Sequence, residues 1–177
     1  MRTLAAIFFA LLIAAPLACA AQMQKREPLT DAQQDQIEEA GIYPVVRVSL
    51  FVKFLNERAD TIEGLIKRAH SSARSHRIDN ELQDFAALMD ELGDNLDVYS
   101  ERKADIRKSL KGLNDGVARW QSVLHELPSE PVFELSLKDA LGSASDLADL
   151  SKQLTADQEA YFKAHPDEKG QDRYEPK

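Results

Sequence analysis

The stretch LQDFAALMDELGDNLDVYSERKADIRKSLKGLNDGVARWQSVLHEL, residues 82–127, decides the fold. Leu82, Phe85, Met89, Leu92, Leu96, Tyr99, Lys103, Ile106, Leu110, Leu113, Val117, Trp120, Leu124 and Leu127 alternate steps of three and four, the spacing that lays one stripe along an α-helix. Only Lys103 interrupts its apolar character. A turn that reversed the chain would normally disturb this phase. The spacing therefore predicts one helix over about 80–127, about 70 Å long at 1.5 Å per residue. Gly93, Gly112 and Gly116 are its weak points, each costing about 1 kcal/mol against alanine. KGLNDG, 111–116, is the best turn signal within it. The alternative is a four-helix bundle with this segment broken near 100–116.

Upstream, Val45, Val48, Val52, Leu55, Ala59, Ile62, Ile66, Ala69 and Ala73 keep the same rhythm and predict a helix over 44–76, with Pro44 in its first turn. Asp79 is placed to cap the next helix. Thr30 and Gln33 have capping-box spacing and open a short helix over 31–40, which Gly41 ends. Downstream, Pro128 and Pro131 close the long segment. Ser136 and Asp139 then cap a helix over 137–164 with Leu137, Ala140, Ala144, Leu147, Ser151, Leu154, Gln158 and Tyr161 on its seam. Residues 21–29 and 166–177 lack apolar pattern and are expected to be disordered.

Short connections make neighbouring helices antiparallel. The expected fold is all-α: an elongated antiparallel bundle of three long helices with coiled-coil-like heptad seams and a short N-terminal helix, in one domain over 30–165. The basic run KRAHSSARSHR, 67–77, is expected to lie beside the acidic start of the long central helix. Its Lys67, Arg68, Arg74 and Arg77 are also the candidate partner surface.

Residues 1–20 read as a signal peptide: Arg2, the apolar run LAAIFFALLIAA, then Pro16 and small residues. The run is too short for a membrane span, which needs about 20 residues. Ala18 and Ala20 suit cleavage between Ala20 and Ala21, which discards Cys19, the single cysteine. The competing reading keeps Cys19 as a lipid attachment point, although Pro16 stands where a lipoprotein signal places an aliphatic residue. Cleavage would leave no thiol chemistry and no disulfide. The protein is accordingly expected in the periplasm or outside the cell, or, if Cys19 is lipidated, on an envelope membrane.

A net charge of −8 argues against nucleic acid and anionic membrane surfaces as partners. His70, His76, His125 and His165 show no paired spacing for a metal, and no Glu-x-x-His or His-Glu-x-x-His occurs. Haem attachment through Cys-x-x-Cys-His is excluded by the cysteine count. Met89 reads as core filling rather than a haem ligand. MDELGDNLD, 89–97, places acids on one helix face but lacks a calcium loop. No phosphate loop or nucleophile elbow occurs.

FVKFLNERADTI, ELGDNLDVYSERKADIRKSLK and RWQSVL together resemble a group of uncharacterised secreted all-helical bacterial proteins. The resemblance implies no activity, cofactor or site residue. The chain is thus expected to be a secreted helical interaction or scaffold protein without catalysis or cofactor, acting through a protein partner or self-association, with monomer and dimer both open. A cofactor- or small-ligand-binding bundle is the alternative, for which Lys103, Ser151 and Gln158 would be the inward polar groups.

Overall fold

The computed structural model describes residues 27–170. It is all-helical there: α1 (Asp31–Glu39), α2 (Pro44–Ile66), α3 (Ser72–Glu101), α4 (Arg107–His125), α5 (Glu134–Ala164) and a terminal 3-10 turn, Pro166–Glu168. Thr30 and Gln33 form the predicted capping box, each side chain bonding the other's backbone N–H. Gly41, at φ +54°, turns the chain into α2.

Four long helices pack as a closed ring of contacts: α2 on α3, α3 on α5, α5 on α4, and α4 on α2. α3 and α4 are consecutive but do not touch along their backbones. They face each other across the centre, where the Phe85 and Trp120 rings meet edge to face at 6.1 Å. Asp79 receives a hydrogen bond from Ser136 at one end, while Gln158 reaches residues 104–106 at the other, so α3 and α5 run the same way. Asn114 with Thr155 and Gln121 with Ala144 set α4 antiparallel to α5. Phe51, Phe54, Phe85, Trp120, Phe133 and Phe162 are fully buried, and Trp120 donates its indole N–H to Asn56 at 2.9 Å.

The expected continuous helix over 80–127 is two helices, and three long helices become four. The break lies at 102–106, within the window of the four-helix alternative but upstream of KGLNDG. Lys103 takes φ +55°, the left-handed region, and stands exposed. A lysine on a buried stripe would have carried its charge into the core, whereas the corner turns it out to solvent. The turn is stabilised from across the bundle. Buried Gln158 accepts from the Ile106 N–H at 3.0 Å and donates to the Ala104 carbonyl at 2.7 Å. Asp105 then pairs with Arg107 and accepts from the Gly170 N–H at 2.8 Å. Arg107 sits 4.5 Å from the Phe162 ring centroid. Gly112 and Gly116 remain inside α4. A Cβ on Gly116 would lie 2.9 Å from the Trp120 ring, so this glycine makes room for the tryptophan rather than a turn.

Other boundaries differ as well. The helix expected over 44–76 stops at Ile66, because Ser71 caps a new helix by accepting from the Arg74 N–H. The basic run is therefore the α2–α3 turn and the first turns of α3. Antiparallel α2 and α3 are instead tied by Arg58 to Glu81 and Asp84, at 3.0 and 3.2 Å. α5 starts at Glu134, three residues before the expected 137, and Ser136 is buried against Asp79 rather than capping. Of the expected disordered lead, Leu29 is buried and the Pro28 carbonyl accepts from Arg58. Of the expected disordered tail, Glu168 accepts from the Tyr161 hydroxyl and Gly170 reaches Asp105.

Replacing Gln158 by leucine leaves the Ile106 N–H and Ala104 carbonyl buried without partners, so urea unfolding should show a loss of about 2–5 kcal/mol. The hydrogen bonds from Arg107, opposed by partial burial, lower the Asp105 carboxyl from 3.8 to about 2. A depressed carboxylate contributes stability above its unfolded value and loses it as pH falls through the folded one. Thermal melts should therefore show wild type ahead of Asp105→Asn above pH 4, with the gap closing as pH falls from about 4 to about 2.

Candidate binding cleft

α1 is moored to the bundle by one side only. Leu29 and Ile37 are buried, Arg47 donates to the Ile37 carbonyl at 2.8 Å, and Gln33 donates to Glu57 at 3.1 Å. Arg47 also reaches Tyr99 at 3.1 Å, which fixes the start of α2 against the end of α3. The arm before α1 and the free side of α1 are left facing α3 across an open cleft of about 800 Å³. Glu27, Gln34 and Glu38 stand on one side and Asp90, Glu91 and Asp94 on the other, over an apolar floor of Pro28, Leu29 and Ala87. Residues 87, 90, 91 and 94 share one helical face by their spacing of three and four, as do 34 and 38. Five carboxylate residues line the cleft, and no basic residue is among its described lining.

MDELGDNLD was readable as an acidic face from spacing alone. What spacing could not show was that the short helix, packed on α2, stands across from it and turns a face into a recess.

The basic run does not form one surface. Lys67 is exposed, 3.9 Å from Glu63, and Arg68 and Arg77 are exposed too. Arg74 is buried, which corrects its place in the candidate partner surface. Its guanidinium caps the C-terminal end of α2 by donating to the Leu65 carbonyl at 3.1 Å and pairs with Glu130 at 3.0 Å. The Ser75 hydroxyl, 2.5 Å away, and then Arg74 hold the Glu130 carboxyl below its ordinary range. A guanidinium that bridges α2, α3 and the α4–α5 connection is structural. The sequence hint was Ser71 at capping distance before Arg74, which puts this arginine in the first turn of a helix.

The inward polar candidates for a ligand have structural duties. Lys103 lies at the corner, with its ammonium 5.6 Å from the Tyr161 ring centroid. The Ser151 hydroxyl donates to the Ala148 carbonyl, and Gln158 holds the corner. His70 is 3.3 Å from Glu130, and His165 stacks on Tyr161. Among the described residues no group of three or more His, Cys, Asp or Glu is placed to hold a metal ion, and no helix is long and apolar enough to cross a membrane. Cys19, Ala20 and Ala21 lie outside the described residues.

No protein-family model matches the chain, and comparison with characterised proteins and with solved structures finds no match.

Arg74→Ala should lower the thermal midpoint clearly, since it strips Glu130 and the Leu65 carbonyl of a partner. Lys67→Ala, Arg68→Ala and Arg77→Ala, all at exposed positions, should each stay within about 0.5 kcal/mol of wild type in urea unfolding.

Proposed function

We propose that this protein is an exported, non-catalytic helical interaction protein that captures a cationic, partly apolar peptide segment of another protein. The carrying observation is the cleft between α1 and α3, where carboxylates of a single sign surround an apolar floor. Its volume, about 800 Å³, is within the range common for binding clefts. Carboxylates around the rim attract lysine and arginine side chains, and Pro28, Leu29 and Ala87 accept aliphatic ones. The attraction is partly exposed to water, so it weakens as salt shortens the reach of charge. Export rests on the leader: cleavage before Ala21 gives a protein free in the periplasm or outside the cell, and retention of Cys19 as a lipid anchor would hold the same cleft at an envelope membrane.

A labelled peptide alternating lysine and leucine, titrated into the protein at low salt and followed by fluorescence anisotropy, tests the reading. Binding is expected, with a tenfold or greater loss in the double variant Glu38→Lys/Asp94→Lys. The control Asp146→Lys/Asp149→Lys makes the same change in net charge on exposed positions of α5, away from the cleft, and should retain affinity. Equal losses in the two variants would reduce the interaction to net charge and overturn the assignment of the cleft.

A further inference from the structure

The four contacts among the long helices divide in a particular way about the 102–106 corner. α2 with α3 and α4 with α5 are contacts within two hairpins, whereas α3 with α5 and α2 with α4 are contacts between them. The hairpins are joined by five residues and by nothing else in the chain. α3 and α4, the helices on either side of the join, make no backbone contact. Every surface that the α4–α5 hairpin needs is therefore offered equally by the α2–α3 hairpin of a second molecule.

The join itself is poised between two shapes. Lys103 is the one non-glycine residue at positive φ among the described residues, and neither glycine nor proline occurs in 102–106 to favour a bend. The apolar spacing runs through it without a change of phase: Leu96, Tyr99, position 103, Ile106, Leu110. Local sequence thus favours a helical course through the very residues that Gln158 holds in a corner. Short connections under strain invite exchange of elements between copies.

We propose that two copies of this chain exchange their α4–α5 hairpins by opening at 102–106. Opening releases the left-handed lysine and the Gln158 and Gly170 contacts to residues 104–106. The contacts between hairpins are remade with the partner copy. The exchanged dimer forms when chains fold at high concentration. It persists because return requires both hairpins to separate. The cleft is built from the arm, α1 and α3, which stay together on one side of the join, so peptide capture and hairpin exchange fail or succeed independently.

The test uses the full chain carrying Cys19→Ser, Asp60→Cys and Arg119→Cys. The last two positions join α2 to α4 through the Arg119–Asp60 salt bridge at 2.5 Å, so thiols there lie within the span of a flexible bismaleimide crosslinker that replaces the reach of the arginine side chain. The protein is refolded at low and high concentration, separated by size-exclusion chromatography with light scattering, crosslinked with the bismaleimide and run on a denaturing gel. The dimer peak should grow with refolding concentration and yield chains linked to each other, while the monomer peak yields internally bridged chains. Lys103→Gly, which takes φ +55° without strain and opposes a helical join, should lower the dimer fraction several-fold, and Lys103→Ala should raise it. Two results would overturn the proposal: no dimer at either concentration even with Lys103→Ala, or a dimer whose crosslinks remain within single chains.

Discussion

The arrangement depends on one side-chain amide. Gln158, buried near the end of α5, satisfies one donor and one acceptor in the backbone between α3 and α4. Buried peptide groups without partners are costly, and a corner takes them out of the helix that would have paired them. By supplying both partners from another helix, Gln158 allows the chain to stop α3, cross the end of the bundle and start α4 on the opposite corner of the ring. The rest follows: α2 lies against both α3 and α4, Phe85 and Trp120 meet in the centre, and Gly116 makes room for the indole.

Much of the helical content could be read directly from the residues. The capping box at Thr30 and Gln33, the start at Pro44 and the apolar stripe positions from Leu82 to Leu127 are all local, and local physics places them. The corner was hidden because its cause is remote in sequence. Phase continuity from Tyr99 to Ile106 argues for a helix, and no turn residue speaks against it. The opposing term comes from Gln158, more than fifty residues away, and from a lysine that would otherwise point inward. KGLNDG misled for the converse reason, since its glycine at 116 answers a packing demand from Trp120 that composition does not reveal.

Charge was legible in kind but not in arrangement. The basic run and the acidic face on α3 were visible as patterns. The structure divides the basic run into a buried clamp at Arg74 and exposed neighbours, and it converts the acidic face into one wall of a cleft by packing α1 on α2, across from it. In both cases the deciding contact, Arg74 with Glu130 or α1 with α2, joins residues whose proximity no periodicity encodes.

The measurement that tests the account most directly is a distance within one molecule across the corner. Spin labels at exposed positions 83 and 122, placed in a Cys19→Ser chain and read in the monomer fraction by double electron–electron resonance, report whether α4 returns alongside α3's level. A folded-back bundle with helix axes 8–10 Å apart between neighbours predicts a distance below about 30 Å, labels included. A single helix through 102–106 would separate the two positions by about 59 Å, and a distance in that range would contradict the corner and everything built upon it.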